Sequence, residues 1–473
     1  MPSLSTRRDA IARMKAEAFD VLILGGGING AGVARDLALR NRHAGGQLNI
    51  ALIEKAHFGS GTSGRNSQLI HGGLRYLKNL EFRLVREALR ERSTLLRIAP
   101  HLVEPLPFLI PMYSQRDRLL YSAGLWLYDL LAGRDSIGRH RSIPPSELAR
   151  IEPGLNQEGL VSAASFFDCR VHSSRLVLEN VFEAIENGTA AANYVRAIEA
   201  RPEGIVAEDM LSGERWTIKA RKLVDSTGAW STHAPLRLVR GSHIVIPRVN
   251  QSENAVAYFD PTGRIVFFIP WGARRRLTLI GTTDIDHSAG PDDVRISQQE
   301  IDYLSSVAVR LFPASADAPA IAAYSSLRPL IHDGSTSPTR TSREHRIWNS
   351  PDGILHIAGG KYTTYRLMSE EAADMITAEI APELSRIHLT AVTPLPQTPP
   401  PESAAIAARR EMAQRLRDVM FVSTYWGYDQ RWTEEELLAP ASEMAIELGW
   451  DASHVAVEIE DVLRQSIHVE TAV

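Results

Sequence analysis

Cysteine is all but missing from this chain. Cys169 is the single one among 473 residues, which excludes an intrachain disulfide and any cluster of thiolate metal ligands. A reducing, cytoplasmic compartment fits that usage. An excess of charge of one sign is missing too. The 52 Lys and Arg stand against 56 Asp and Glu, for a net charge of −4, with the signs interspersed, so nucleic acid is not an expected partner. No apolar run reaches the ~18 residues that would span a bilayer. The opening MPSLSTRRDAIARMKAEAFD lacks the apolar block of a secretory leader and reads as a helix over 1–17. What is present is ordinary globular composition, 44% hydrophobic and 23% charged. The length exceeds one core, so two or three domains are expected.

FDVLILGGGINGAGVARDLALR begins with an apolar run of strand length, Phe19 to Leu24. Gly25, Gly27 and Gly30 follow in the G-x-G-x-x-G spacing, then a helix pattern, then a second strand, NIALIEK, ending at Glu54. This is the complete dinucleotide fingerprint, with Glu54 a little beyond the usual offset of ~20 residues. Each part has a task. Gly25 permits the tight turn, Gly27 lets the backbone approach a pyrophosphate, and Gly30 lets the helix pack on the sheet. The helix N-terminus offers free N–H groups to the phosphates, and Glu54 can accept from ribose hydroxyls.

After Glu54 the chain does not continue as alternating strands and helices. It enters SGTSGRNSQLIHGGLRYL, residues 60–77, a polar, glycine-rich stretch without a carboxylate. Strand-and-turn pieces return much later. RKLVDSTGAW (221–230) contains Thr227 and Gly228, and GILHIAGGKYTTYRLM (353–368) contains Gly359 and Gly360. Three separated strands that end in small-residue turns suit one extended flavin dinucleotide threaded between them. Between the pieces, GSHIVIPR, GRIVFFIPW and RLTLIGTTDID are rich in Val, Ile and Phe and read as a separate, mostly antiparallel sheet. DRLLYSAGLWLYDLLAGR, from Asp117, reads as an amphipathic helix. Its Leu, Trp and Tyr residues suit the core, or contact with a membrane surface. TPLPQTPPPES (393–403) is a linker, and helical segments follow it.

DVLILGGGINGAG, GTSGRNSQLIHGGLRYL, GSHIVIPR, IGTTD, YSSLRPL and AGGKYTTYR resemble the FAD-dependent glycerol-3-phosphate dehydrogenases, in the family's order over roughly residues 18–370. The resemblance implies an α/β architecture of the D-amino-acid-oxidase type: a Rossmann-like FAD-binding domain (18–95, 155–235 and 325–390), an interleaved antiparallel-sheet substrate domain (96–154 and 236–324), a linker (391–403) and a small, shortened helical cap (404–473). It implies oxidation of sn-glycerol 3-phosphate to dihydroxyacetone phosphate, with FAD as the hydride acceptor. Electrons would pass to a quinone or another acceptor, through peripheral contact with the cytoplasmic face of the inner membrane. A homodimer is left open. Three departures stand out. HSSR (172–175) replaces an Asp-Asp-Ala-Arg stretch, Val422-Ser423-Thr424 replaces an Arg-Arg-Thr of the cap, and Gln68 replaces a frequent Lys.

By the same resemblance, residues 60–77 pass close to the flavin. Thr62, Ser63, Asn66 and Ser67 would bond pyrophosphate and ribitol oxygens, and Gly72 and Gly73 would let the backbone approach the ring. His71 would lie beside the ring, and Arg75 and Tyr76 would face substrate. Arg328 is the foremost anion ligand, since a guanidinium suits a phosphate or a developing alkoxide; Arg343 and Lys361 are further candidates. His243 is read as the general base and His71 as its competitor, because imidazole titrates near neutral pH. Thr363 and Thr364 would bond the flavin or cap the next helix. Two other functions remain open: a flavin oxidoreductase of the same fold acting on an amine, an amino acid or another phosphate-bearing alcohol, and a non-catalytic flavin-binding assembly protein.

Overall fold

The computed structural model describes the chain except residues 1–3, 202, 262, 273–274, 333, 335–342, 467–468 and 471–473. Two sheets organise it. In the first, Ala18–Leu24 lies between Arg215–Asp225 and Ile50–Ile53, parallel to both. Ala190–Ala192 extends the sheet on one side, and Leu355–Gly359 followed by antiparallel His345–Asn349 extends it on the other. Ile50–Ile53 and Ala190–Ala192 are wholly buried and read as apolar runs rather than alternations. One face carries the helices Ile28–His43, Ser173–Glu186 and Tyr365–Ile380. The N-terminal helix Leu4–Ala16 packs against Ala190–Ala192 and Arg215–Asp225. The parallel strands Ala18–Leu24, Arg215–Asp225 and Leu355–Gly359 end at one edge, where such sheets bind ligands.

The second sheet contains the expected antiparallel strands Leu236–Pro247, Leu277–Gly281 and Ile265–Trp271. Its order continues through Ala255–Phe259, Val103–Met112 and Ser162–Val171 to Leu69–Ile70, while Ala322–Ile331 pairs with the far side of Leu236–Pro247. The sheet therefore divides the chain differently from the expected boundaries. Ser162–Val171 and the strand carrying Arg328 fall within the expected FAD-binding segments, yet each forms ten pairs with one neighbouring strand of the second sheet. Long-range strand pairing decides this, and it leaves little mark on local pattern.

The sheet is curled, and residues 66–70 close it. Leu69–Ile70 pairs with Ser162–Val171 at one end. At the other end Ser67 Oγ lies 2.9 Å from His243 Nε2, and the Asn66 carbonyl accepts from Tyr324 OH at 2.7 Å.

The C-terminal helices differ from the expected pattern. The helix Ala404–Glu411 stops at Met412, whose φ is +59°. Glu411 forms a buried ion pair with Arg175, and the Met412 carbonyl accepts from Asn193 Nδ2 at 2.7 Å. These tertiary bonds override the helical pattern that runs on to Met420. Glu434–Leu448 and Ala452–Ser466 are separated at Gly449, which takes a left-handed conformation.

Candidate active site

A cavity of about 760 Å³ runs between the two sheets, within the size range of small-molecule sites. One end is the glycine turn. Gly25 has φ +100°, and a Cβ there would lie 2.8 Å from the Ser226 carbonyl oxygen. A Cβ on Gly30 would collide with the Gly25 carbonyl oxygen and lie 2.6 Å from Ser226 Oγ. Gly27 differs: its Cβ would meet only Ser63 Oγ, at 3.1 Å. The free space at Gly27 opens toward the cavity. The helix Ile28–His43 starts there with no side-chain cap, so its first N–H groups have no partner within the helix. Ser63 Oγ accepts from Ile28 N at 2.9 Å, which leaves its own proton for an anion. Glu54 accepts from Gly26 N at 2.7 Å and Ala56 N at 2.9 Å, and each oxygen keeps a second lone pair. Burial raises its carboxyl, and the backbone bonds oppose that. These features fit the pyrophosphate and ribose of a dinucleotide. Lys55, Trp230 and Asp292 latch over this end. Lys55 Nζ bonds Asp292 at 2.6 Å and lies 4.4 Å from the Trp230 ring, whose Nε1 donates to Asp292 at 2.8 Å.

The other end is cationic. Arg328 lies against Gly241, where a Cβ would displace the guanidinium, and it donates to Asp284 Oδ1 at 2.8 Å, Thr282 Oγ1 at 2.8 Å and the Thr283 carbonyl at 3.1 Å. Arg343 approaches the same Asp284 oxygen at 3.7 Å. Two guanidiniums on one carboxylate leave net positive charge. Lys361 Nζ sits 3.8 Å over the Tyr76 ring and borders the same cavity.

Of the residues singled out from the sequence, the cavity gathers Gly25, Gly27, Glu54, Thr62, Ser63, Asn66, Ser67, His71, Gly73, Tyr76, Thr227, Gly228, His243, Arg328, Arg343, Gly359, Gly360 and Lys361. The side chain of Arg75 lies outside the described residues. Others have different tasks. Gly72 does not line the cavity; a Cβ there would run into Tyr128 and Leu89, so packing excludes one. Thr363 Oγ1 accepts from His71 N at 3.1 Å and donates to its carbonyl at 3.2 Å, which fixes the His71 backbone. Thr364 makes no side-chain capping bond and is buried. Thr62 donates to the Leu327 carbonyl at 2.6 Å, and Asn66 bonds Ser63, Gln68 and Ser173. Both shape the wall through protein contacts.

His243 is 2% exposed and stacks on Tyr324 at 4.9 Å. Burial, then the Arg328 charge, pushes its imidazole down to about 3, so it stays neutral. Nε2 is engaged by Ser67, and Nδ1 is buried without a partner among the described residues. A proton acceptor this weakly basic gains little from taking a proton.

Two of the three departures, HSSR and Gln68, meet Tyr425, the residue that follows the third. The His172 ring stacks on Tyr425, centroids 4.4 Å apart. Ser174 Oγ donates to Tyr425 OH at 2.7 Å, and that hydroxyl donates to the Gly64 carbonyl at 3.0 Å. Gln68 accepts from Ser173 N at 2.9 Å. HSSR, Gln68 and the segment after Val422 thus seat the cap. The cap in turn lends Arg417, Asp418, Phe421, Val422 and Gln465 to the cavity wall. Sequence reasoning missed these five, because no local signal says which face of a terminal helix meets a distant loop. It also missed Asp168, although an acid inside the apolar strand SFFDCRV was a usable sign.

A dinucleotide end, a cationic end and three strands terminating between them define the class: an oxidoreductase that holds an extended flavin dinucleotide. The comparisons agree. The family model for FAD dependent oxidoreductases matches residues 20–375. The aerobic glycerol-3-phosphate dehydrogenase of Escherichia coli (strain K12) is 36% identical over 382 residues, 76% of this chain and 74% of that protein. The crystal structure of the Bacillus halodurans glycerol-3-phosphate dehydrogenase complexed with FAD superposes with a TM-score of 0.76, at 24% identity over 98% of both chains. That of the L-alpha-glycerophosphate oxidase from Mycoplasma pneumoniae, with FAD bound, gives 0.60 at 17% identity, over 81% of this chain and all of that one. These two likenesses show the fold. The chain belongs to the FAD-dependent oxidoreductases and, among them, to the glycerol-3-phosphate dehydrogenases.

FAD should accordingly co-purify with the protein without a covalent link. Acid precipitation should release all the yellow colour into the supernatant; flavin that stays with the pellet would contradict this.

Proposed function

We propose that the protein oxidises the secondary alcohol of sn-glycerol 3-phosphate to the ketone of dihydroxyacetone phosphate and delivers the electrons to a quinone at a membrane surface. The observation that carries the reading is the single cavity that joins the Gly25–Glu54 end to the Arg328, Arg343 and Lys361 end. Bound FAD supplies the two-electron acceptor. The residues of the chain do the rest. Arg328, Arg343 and Lys361 hold the phosphate. The cap residues and the aromatic wall exclude water. The backbone of His71 is fixed by Thr363, and His71 borders the same cavity. Of the two histidines proposed as base, His243 is the weaker acceptor, because burial and the Arg328 charge lower its basicity and Ser67 occupies Nε2; His71 is left as the base. His243 orients Ser67 instead.

A test of this division is the pH profile. A group pushed down to about 3 does not titrate between pH 5 and 8. The His243→Asn variant should therefore keep every limb of the wild-type kcat/KM profile in that interval. Disappearance of a near-neutral limb in that variant would restore His243 as the base. The reaction itself is checked by product: with glycerol 3-phosphate and a dye acceptor, dihydroxyacetone phosphate should accumulate at one equivalent per two electrons.

The membrane part of the proposal rests on the helix Gln115–Ala132. Leu125 and Tyr128 face inward, while Leu119, Trp126 and Leu130 are 74%, 63% and 61% exposed. They form a stripe at i, i+7 and i+11, with the exposed Arg116 and Arg118 at the helix start. An apolar stripe with flanking cations suits an anionic lipid surface. No described helix is long and apolar enough to cross a membrane, so binding should be peripheral. Wild-type protein should sediment with anionic vesicles and be released by alkaline wash or mild detergent, and Trp126→Glu should abolish sedimentation. Unchanged sedimentation of that variant would remove this helix from the account.

A further inference from the structure

Asp168 stands on Ser162–Val171, two residues after Phe166 and on the same face of the strand, and both border the cavity. Its Oδ1 accepts three hydrogen bonds, from Arg92 Nη1 at 2.7 Å, Tyr128 OH at 2.7 Å and Gly72 N at 3.1 Å. Among the described residues nothing bonds Oδ2. The side chain is 5% exposed, and the wall around it is apolar: Phe108, Phe166, Ala257 and Phe267. Oδ1 is occupied from the protein side, so Oδ2 is the oxygen turned to the cavity.

A carboxylate oxygen without a donor becomes costly once a ligand displaces water from it. A ligand that fills this cavity must therefore bring a donor to that point. We propose that Asp168 is a substrate-binding residue whose Oδ2 accepts a hydrogen bond from the terminal, carbon-1 hydroxyl of the substrate, and so selects a polyol phosphate over its deoxy analogue. This rests on the functional reading above.

Charge fixes the orientation. A carboxylate repels phosphate, so the phosphate belongs with Arg328, Arg343 and Lys361. Ser162–Val171, which carries Asp168, and Ala322–Ile331, which carries Arg328, are separate strands of the second sheet and do not pair with each other. Carbon 1 is the end of a glycerol phosphate farthest from its phosphate. Burial raises the Asp168 carboxyl, while Arg92, Tyr128 and the Gly72 amide favour its ionised form. Tyr128 lies on the helix Gln115–Ala132, so the same carboxylate also anchors the proposed membrane-facing helix.

The test uses oxidised holoenzyme and two ketones that cannot reduce the flavin. Dihydroxyacetone phosphate carries the terminal hydroxyl; acetol phosphate lacks it. Dissociation constants are read from the perturbation of the flavin absorption and by calorimetry. Wild-type protein should bind dihydroxyacetone phosphate about 10- to 100-fold more tightly, the range of one hydrogen bond to a charged group. Asp168→Asn should reduce that ratio several-fold, since an amide offers only a neutral bond. Tyr128→Phe, which removes a support but leaves Oδ2, should preserve it. A wild-type ratio near one, in an enzyme whose flavin is still reduced by glycerol 3-phosphate, overturns the role of Asp168 and leaves the function standing. If neither ketone binds and glycerol 3-phosphate leaves the flavin oxidised, the functional reading itself has failed.

Discussion

Arg328→Ala is expected to retain FAD and to lose most of its turnover with glycerol 3-phosphate. The guanidinium serves two groups. It bonds Thr282, Thr283 and Asp284, and it borders the cavity where an anion would sit. Removing one partner of a buried, charge-assisted contact costs about 2–5 kcal/mol. At ~1.4 kcal/mol per tenfold, kcat/KM should fall by about 30-fold to several thousand-fold. Arg343, also at Asp284, should limit the damage to the fold. Lys at this position should rescue only in part, because one ammonium cannot reproduce three divergent bonds. Stopped-flow flavin reduction measures the effect; wild-type efficiency in Arg328→Ala would pass the anion to Arg343 and Lys361.

Substitutions in the glycine turn should produce the other large effect. At Gly30 any side chain drives the helix Ile28–His43 off the Gly25 carbonyl. Gly30→Val should therefore both destabilise the protein, by about 1–3 kcal/mol or more, and empty it of flavin. Gly27→Ala separates the two consequences. Its Cβ has room against protein, the nearest atom being Ser63 Oγ at 3.1 Å, but it intrudes where the pyrophosphate would approach. Gly27→Ala should fold with a near-wild-type melting temperature and bind FAD far more weakly. Gly124→Ala, with nothing near its Cβ, is the control. Flavin content and thermal melting check all three; full flavin occupancy in Gly30→Val would contradict this placement of the dinucleotide.

The glycine turn was legible because its constraints are local. Gly25, Gly30 and the strand ends beside them report on contacts within one supersecondary unit. Arg328 and Lys361 were legible through motifs, but their geometry was not: that Arg328 shares Asp284 with Arg343 follows from strand pairing across the second sheet. Gly72 illustrates the limit. Its motif implies a close approach to the flavin; that a Cβ there would also meet Tyr128 and Leu89 depends on residues distant in sequence. His243 is a second case. Its sequence context suggested a base, but the burial and the neighbouring cation that lower its basicity arise only when Leu236–Pro247 meets Ala322–Ile331. Asp168 was passed over for the opposite reason. An acid in an apolar strand was visible, but its three donors come from Gly72, Arg92 and Tyr128, on three separate segments.

Glycerol 3-phosphate should give its carbon-2 hydride to FAD bound in this cavity. Anaerobic mixing of the holoenzyme with sn-glycerol 3-phosphate tests it most directly, with glycerol, glycine and L-proline in parallel. Glycerol 3-phosphate alone should bleach the oxidised flavin completely, with one equivalent of dihydroxyacetone phosphate formed per flavin. A flavin that stays oxidised with glycerol 3-phosphate, or one that an amino acid reduces in its place, would contradict it.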